Sequence, residues 1–249
     1  YKLEATFFCL GIVAKKRPEI IKKILRAGHF IGTHGYEHKL NYRMTKWEFS
    51  RDLGKSISIL SSITGQALLS YRAPSWSFKK EIDDWFWEIL AQNGIIYDSS
   101  IFPVKTFLYG EPDAPRFIHL RKCNIIEIPP STVRYFNRNI PFSGGFYFRV
   151  LPVWFIQNSM IKINKSNNPV VAYLHPWELD ENLEKPSNLS LRNKLITYYN
   201  IKNTNRKLIL LYQNKNFCST ENYFIMRARP CAQDITPENR YYGLRNSTK

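Results

Sequence analysis

The sequence has few cysteines and no long hydrophobic run. Its 249 residues include four cysteines, Cys9, Cys123, Cys218 and Cys231, and no CxxC pair. Four cysteines are too few for a disulfide-stabilised secreted domain of this length, and their spacing does not suggest a zinc ribbon. We therefore interpret all four as free thiols. No apolar stretch approaches the roughly 20 residues of a membrane-spanning helix, so we expect no transmembrane segment.

The sequence also has too few acidic residues to balance its basic ones. Lysine and arginine number 36 against 20 aspartates and glutamates, a net charge of +16. Such an excess of positive charge is typical of proteins that bind nucleic acids or other anionic polymers. The positive charges are scattered along the chain, however, and no basic stripe with interleaved aromatics is present. We therefore expect no nucleic-acid partner.

The chain begins at Tyr1 and passes directly into the apolar run 5–10. Neither a charged leader nor a small-residue cleavage site comes before that run. We expect the sequence to lack the start of the natural protein.

Strand-like and helix-like segments alternate along the chain, judged by apolar periodicity and by capping and turn residues. The expected strands are 5–10, 29–33, 68–72, 95–97, 125–128 and 169–174. The expected helices are 18–28, 45–65, 81–94, 152–164 and one within 187–212. Alternation of this kind is typical of one α/β domain with a parallel sheet. The tail beyond Arg227 shows no periodicity.

Two histidines follow the strand candidate at 29–33. His34 and His38 are four residues apart, so one turn can direct both imidazoles at the same point. Imidazole nitrogens suit Zn²⁺ or another divalent transition metal. We treat the remaining unpaired histidines of this half, His29 and His119, as structural or solvated.

Other polar groups follow three further strand candidates. Arg72 could orient a carboxylate, Asp98 could bind a substrate hydroxyl, and His175 could act as a general acid. The neighbouring Trp177 could stack on a sugar face, and Tyr36 and Trp76 are further candidate substrate-binding residues. Because the carboxyl ends of parallel strands meet at one edge of a sheet, these groups are expected to form one site.

These residues, in this order, resemble the polysaccharide deacetylases of the NodB-homology type. Residues 34–38 resemble the family's HxxxH metal motif, Arg72–Pro74 its Arg-x-Pro motif, and Leu174–His175 its final Leu-His motif. The match looks closest to bacterial deacetylases associated with exosortase and exopolysaccharide gene clusters. It covers about residues 3–210.

The resemblance implies an α/β fold, a distorted (β/α) barrel, here lacking its first strand and helix. Residues 1–212 would form an N-terminally truncated catalytic domain, and 213–249 a peripheral or partly disordered extension. It also implies a metal-dependent hydrolase that removes N-acetyl groups from a polysaccharide. His34 and His38 would bind a divalent metal, zinc first, with cobalt, nickel or manganese as alternatives. His175 would protonate the departing amine and Arg72 would orient the catalytic carboxylate.

One family motif has no counterpart in the sequence. The Asp-rich segment that supplies the third metal ligand and the catalytic base should lie upstream of Tyr1. Asp98 and Glu178 are the only substitutes for the base that we can nominate.

Three alternatives to a polysaccharide deacetylase stay open. The chain could be an inactive carbohydrate-binding relative, a metal-dependent amidase acting on a small amide, or, last in order, a nucleic-acid binder. The sequence does not decide between a cytoplasmic and a cell-envelope location.

Overall fold

The computed structural model of this chain describes residues 3–106, 109–184, 189–213 and 216–228. Within these ranges the strands are Thr6–Cys9 (β1), Phe30–Thr33 (β2), Ser70–Tyr71 (β3), Tyr97–Asp98 (β4), His119–Leu120 (β5), Ile126–Glu127 (β6), Thr132–Tyr135 (β7) and Arg138–Pro141 (β8). The α-helices are Gly11–Lys16 (α1), Pro18–Arg26 (α2), Lys46–Thr64 (α3), Asp83–Gln92 (α4), Gly145–Val150 (α5), Val153–Lys165 (α6), Leu191–Tyr198 (α7), Thr204–Tyr212 (α8) and Thr220–Ala228 (α9).

Six strands form one mostly parallel sheet in the order β1-β2-β3-β4-β6-β5. Only β5, at one edge, runs antiparallel to its neighbour, while β7 and β8 form a separate hairpin. The crossovers between the first four strands contain α1 to α4, as parallel pairing requires. The predicted α/β class is confirmed. Among the described residues the sheet stays open and does not close into a barrel.

The helix boundaries near the site follow the capping signals in the sequence. Thr45 and Glu48 form a reciprocal capping box at the start of α3, and Gly65 ends that helix in the left-handed conformation with φ 67°. Phe49 and Leu53 of α3 pack with Phe86 of α4 in a buried cluster against the sheet. This cluster fixes the strands whose carboxyl ends carry the candidate site.

Two expected elements differ from the structure. The segment 169–174 forms a single bridge among the described residues, between Tyr173 and Gly144. At Val171 the amide donates to the Ser131 hydroxyl and the carbonyl accepts from the Ser131 amide, so no continuous ladder forms. The helix expected within 187–212 is two helices, α7 and α8. Asn200 separates them, with a left-handed φ of 58°.

Residues 216–228 pack against the amino ends of the strands. Glu221, on α9, accepts hydrogen bonds from the hydroxyls of Thr6 and Ser70, and Phe224 stacks on Tyr97 with ring centroids 4.7 Å apart. The predicted boundary at residue 212 stays a prediction. Residues 229–249 of the predicted extension, with Cys231, lie outside the described residues.

The thiols and the membrane prediction can be compared with the described residues. Cys9, Cys123 and Cys218 are free. In the described ranges, no helix has both the length and the apolar character needed to cross a bilayer.

Candidate active site

The turn after β2 brings the two histidines of the HxxxH motif together. Gly35 has a φ of 75°, and a Cβ there would lie 2.9 Å from Asp52 Oδ2. His38 also has a positive φ, 59°, which folds the chain back. The His34 and His38 rings lie edge to face with centroids 5.1 Å apart. Glycine at position 35 is thus needed both for the left-handed backbone and for the close approach to α3.

The His34 ring is held in one tautomer. Its Nδ1 lies 2.7 Å from the carbonyl oxygen of Arg72, which can only accept, so Nδ1 carries the proton and Nε2 keeps its lone pair. Burial lowers the pKa of His34 to about 3, so the ring is neutral at pH 7. Burial also lowers the pKa of His38. Two neutral imidazoles, one with its second nitrogen bound to a carbonyl, are typical of metal-ligating histidines.

Arg72 lies beneath this pair, behind the end of β3. Its guanidinium sits 4.4 Å from the centre of the Phe8 ring and donates one hydrogen bond, to Ser99 Oγ at 2.8 Å. Burial lowers the pKa of Arg72 to about 10, which still leaves it charged at pH 7. Its Nε is buried and has no acceptor within the described part of the chain. This unpaired donor is what a carboxylate at the site would satisfy.

His175 belongs to a buried chain of charged groups. Glu178 Oε2 accepts from the His175 backbone amide at 2.8 Å and lies 3.0 Å from its Nδ1. Glu178 Oε1 accepts from Arg149 Nε at 3.0 Å. Arg149 is itself buried and donates to the carbonyls of residues 196, 197 and 199, ahead of α8. This arrangement fixes the imidazole and leaves its Nε2 available.

Burial by itself would raise the pKa of Glu178. The hydrogen bonds from His175 and the positive charge of Arg149 outweigh burial and lower that pKa, so Glu178 is ionised. A carboxylate engaged on both oxygens is poorly placed to deprotonate a water, so the structure favours a role in holding His175 over the role of base.

The predicted residues of three strand ends meet in one place. Arg72 holds His34 through its carbonyl, and its guanidinium carbon lies 5.7 Å from the Trp76 ring centre. Trp76 contacts Tyr173 with centroids 4.6 Å apart, and Tyr173 contacts His175 at 6.0 Å. Four of the eight predicted site residues therefore form one cluster at the carboxyl edge of the sheet.

The aromatic candidates take different positions. Trp177 stacks on His175 with centroids 5.6 Å apart and is half-buried. Tyr36 is only 7% exposed, with Lys55 Nζ 3.5 Å from its ring centre, and anchors the turn. Trp76 is also 7% exposed and packs on Phe102. Trp177 lies against His175, and the Trp76 ring centre lies 5.7 Å from the Arg72 guanidinium carbon. Because Tyr36 and Trp76 are buried, their predicted sugar-binding role gains no support.

Asp98 is buried in the sheet and does not line an open surface. It is 1% exposed, accepts from Ser100 Oγ at 2.6 Å, and pairs with Glu127 on β6. The two residues lie side by side in the register of β4 and β6, and burial raises the pKa of both carboxyl groups. Neither the predicted substrate contact nor the role of substitute base suits a carboxyl group enclosed in this way.

The sequence analysis overlooked Arg149 and assigned Glu178 to a different role. A single arginine within the apolar segment 146–151 was the available signal, because a charge inside such a run usually has a buried partner. The histidines set aside behave as expected of structural residues: His29 packs on Phe7, and His119 Nδ1 bonds the Phe117 carbonyl.

The described residues fit a divalent metal in part. His34 and His38 supply two neutral nitrogen ligands, whereas catalytic zinc sites usually have three protein ligands. Within the described ranges no group of three or more His, Cys, Asp or Glu side chains could hold a metal ion.

Comparison with known proteins divides the chain into two segments. Residues 1–97 match the polysaccharide deacetylase family, and residues 99–225 match a domain of unknown function, DUF3473. The first segment relates the chain to the polysaccharide deacetylases, hydrolases that act on carbon–nitrogen bonds other than peptide bonds. The second segment covers just over half of the chain, and the chain belongs to the DUF3473 family.

Two curated relatives and one solved structure are similar to parts of the chain. The peptidoglycan deacetylase of Helicobacter pylori is 36% identical over 41% of this chain and 33% of its own length. A peptidoglycan-N-acetylglucosamine deacetylase of Bacillus cereus is 36% identical over 30% of this chain and 27% of its own. The matches therefore span about a third or less of these relatives.

The structural match covers more of the chain. A candidate polysaccharide deacetylase from Mycobacterium smegmatis shares the fold over 94% of this chain and 74% of its own, with a TM-score of 0.53 and 20% identity.

Proposed function

We propose that this chain contains most of the active site of a metal-dependent hydrolase that removes N-acetyl groups from a polysaccharide. One observation carries the proposal: His34, His38, Arg72 and His175 meet at one sheet edge, and His175 is held by the buried Glu178. The reaction adds water to the acetamide carbonyl and breaks the C–N bond, giving acetate and a free sugar amine.

Each residue has a defined part in this proposal. His34 and His38 would hold a divalent ion, zinc first, with cobalt, nickel or manganese as alternatives. When bound, the ion supplies polarisation of the carbonyl and of water. His175 Nε2 delivers the proton to the departing amine, because its Nδ1 is engaged by Glu178. Trp177 offers an aromatic face beside that proton donor.

The third ligand and the base remain to be supplied. We propose that carboxylates outside the described residues fill these two roles, and that the base is the carboxylate that accepts a hydrogen bond from Arg72 Nε. Full-length protein with this carboxylate changed to the amide should lose acetate release.

The substrate is proposed at the level of an acetylated glycan. The two curated relatives are named for peptidoglycan, and the sequence resemblance points to exopolysaccharide. Both are polymers of N-acetylated sugars that could reach an open sheet edge. A cytoplasmic or cell-envelope location stays a prediction.

The proposal is tested by acetate release from the full-length protein. The substrates are N-acetylglucosamine oligomers, peptidoglycan and small acetamides, each assayed with and without a chelator. His34→Ala and His175→Ala should abolish release, while His29→Ala, an imidazole outside the cluster, should retain it. Full activity in either site variant would reject the proposal, and a preference for small acetamides would favour the amidase.

A second candidate function is saccharide binding at the same cluster of residues without catalysis. It is favoured by the presence of two metal ligands, not three, among the described residues. This candidate predicts saccharide binding with no acetate release by the full-length protein at any added metal concentration.

A further inference from the structure

A second cleft lies beside the β7–β8 hairpin, outside the histidine cluster. It has a volume of about 900 Å³ and lies between the hairpin and the loop segments 103–105 and 112–117. The Asn139 amide holds the two walls together, donating to the carbonyls of Pro103 at 2.7 Å and Pro112 at 3.4 Å. The cleft is therefore defined by side-chain hydrogen bonds between hairpin and loop.

The cleft is strongly basic. Four cationic residues line it, against the single carboxylate of Asp113: Lys105, Arg116, Arg134 and Arg138. In the part of the chain that the structure describes, none of the four forms an ion pair. By contrast, Arg121 and Lys122 nearby are both paired with Asp83. Among the described residues, the cleft therefore has four cationic side chains without an ion pair along one lining.

Arg116 carries a buried donor in this cleft. Its guanidinium carbon lies 5.0 Å from the Phe117 ring centre, and its Nε is buried without an acceptor among the described residues. Burial lowers the pKa of Arg116, and the positive charge of Arg134 lowers it further. Arg134 stands opposite Asn139 in the hairpin register, on the face that Asn139 turns toward the loop. An oxyanion in the cleft would accept a hydrogen bond from the buried Arg116 Nε and offset the positive charge of the lining.

The cleft adjoins the candidate active site through the core. Val104 lines the cleft and also packs with Trp76 and Tyr173 in one buried cluster. The Tyr173 ring meets the His175 ring edge to face, with centroids 6.0 Å apart. One buried cluster therefore lies between the cleft and His175, and a polymer that occupies both places would have to cross the surface above it.

We propose that the cleft between the β7–β8 hairpin and the 103–117 loop binds an oxyanion, a carboxylate or a phosphate, carried by the glycan substrate. This inference rests on the proposed function for the identity of the glycan. It assigns specificity for charged polymers to residues of the DUF3473 segment.

The test measures binding of oligogalacturonate and of poly(glycerol phosphate) to the full-length protein by calorimetry near physiological salt. The first probe supplies carboxylates and the second supplies phosphates. The double variant Arg116→Gln/Arg134→Gln should weaken binding of the preferred probe by about tenfold or more. The matched control Lys22→Gln/Lys23→Gln removes the same charge from the exposed face of α2 and should change it by less than about twofold.

Several outcomes would overturn the inference. Equal weakening in the two double variants would mean that the net charge attracts any polyanion. Unchanged binding in the Arg116→Gln/Arg134→Gln variant would show that the cleft does not bind the probe. A DNA duplex that binds the wild type as tightly as the better glycan probe would show that the cleft is not specific for a glycan. Both double variants should first show the wild-type denaturation midpoint.

Failure of this inference can be told apart from failure of the proposed function. Absence of acetate release from every substrate would reject the hydrolase while the calorimetric comparison still decides the cleft. If release occurs, the ratio of kcat/KM on a carboxylated acetylated glycan to that on a neutral oligomer should fall in the Arg116→Gln/Arg134→Gln variant. An unchanged ratio would contradict the proposal.

Discussion

Glu178 is a fully buried carboxylate that lies between an imidazole and a guanidinium. Removing one partner from such a buried pair leaves an uncompensated charge, which usually destabilises a protein by about 3–5 kcal/mol. The charge of Glu178 is compensated because Arg149 donates a hydrogen bond to one carboxylate oxygen and His175 donates to the other. The same contacts orient the imidazole, so the stability of this chain of charges and the position of the proposed proton donor are linked.

We expect Glu178→Gln to lower kcat for acetate release by about tenfold to a hundredfold with little change in KM. The amide no longer carries the charge that holds His175 Nδ1–H, so the ring loses its fixed tautomer. The measurement is steady-state kinetics combined with ¹⁵N NMR of the His175 ring. A variant with changed ring signals and wild-type kcat would contradict the positioning role.

A double-mutant comparison separates positioning from stability. Arg149→Met should destabilise the fold by about 3–5 kcal/mol because Glu178 is left charged and unpaired. Adding Glu178→Gln should recover part of that loss, as measured by chemical denaturation. Additive effects of the two substitutions would show that the pair is not coupled.

The Asp98–Glu127 pair makes stability depend on pH. Burial raises the pKa of Glu127 well above its ordinary value of 4.5. At pH values between the ordinary pKa of Glu127 in the unfolded chain and its raised pKa in the folded chain, the folded chain binds more protons. The free energy of unfolding therefore falls as the pH rises through this range. Glu127→Gln cannot ionise and should lose less stability between pH 5 and pH 8 than the wild type, by the order of 1 kcal/mol. Parallel denaturation curves at the two pH values would refute this.

At the scale of elements, the turn after β2 depends on positions that the motif does not name. The Tyr36 amide donates to Asp52 Oδ2 at 2.7 Å, and the Gly35 carbonyl accepts from the Ser56 hydroxyl. Both partners are on α3. The two imidazoles of the HxxxH motif therefore come together only when α3 has packed on the sheet and fixed this turn.

Helix α9 connects the amino ends of two strands through one side chain. Glu221 accepts from Thr6 on β1 and Ser70 on β3, and it is 4% exposed. Glu221→Ala should lower the free energy of unfolding by about 1–3 kcal/mol, because two hydroxyls lose their acceptor in a buried place. Glu221→Gln keeps a carbonyl acceptor and should cost less in the same denaturation assay. Equal stability of wild type and Glu221→Ala would mean that α9 does not contribute.

At the scale of the whole molecule, the net charge of +16 should produce only weak and unspecific attraction to DNA. We expect a dissociation constant for a short duplex of about 10⁻⁴ to 10⁻⁶ M at physiological salt, with no sequence preference. Fluorescence anisotropy at several salt concentrations measures it. Tighter binding that persists at high salt would favour a nucleic-acid-binding function.

Much of the α/β order was predictable because its signals are local. The box formed by Thr45 and Glu48, the left-handed Gly65 and the apolar run of β1 each act within a few residues, and all are confirmed. The segment 169–174 misled the prediction because a strand pattern does not show whether a ladder partner exists. Here Ser131 bonds Val171 through both its amide and its hydroxyl, and no continuous ladder forms among the described residues.

The sequence by itself determined the alternation of strands and helices and the residue types of the site, because periodicity, caps and motifs are properties of neighbouring positions. Only the tertiary structure decided which polar groups meet. It joined Arg149 to Glu178, 29 positions away, buried Asp98 beside Glu127, and placed Arg116 and Arg134 in the lining of one cleft. Such pairs depend on packing between distant segments, where burial makes each charge require a partner.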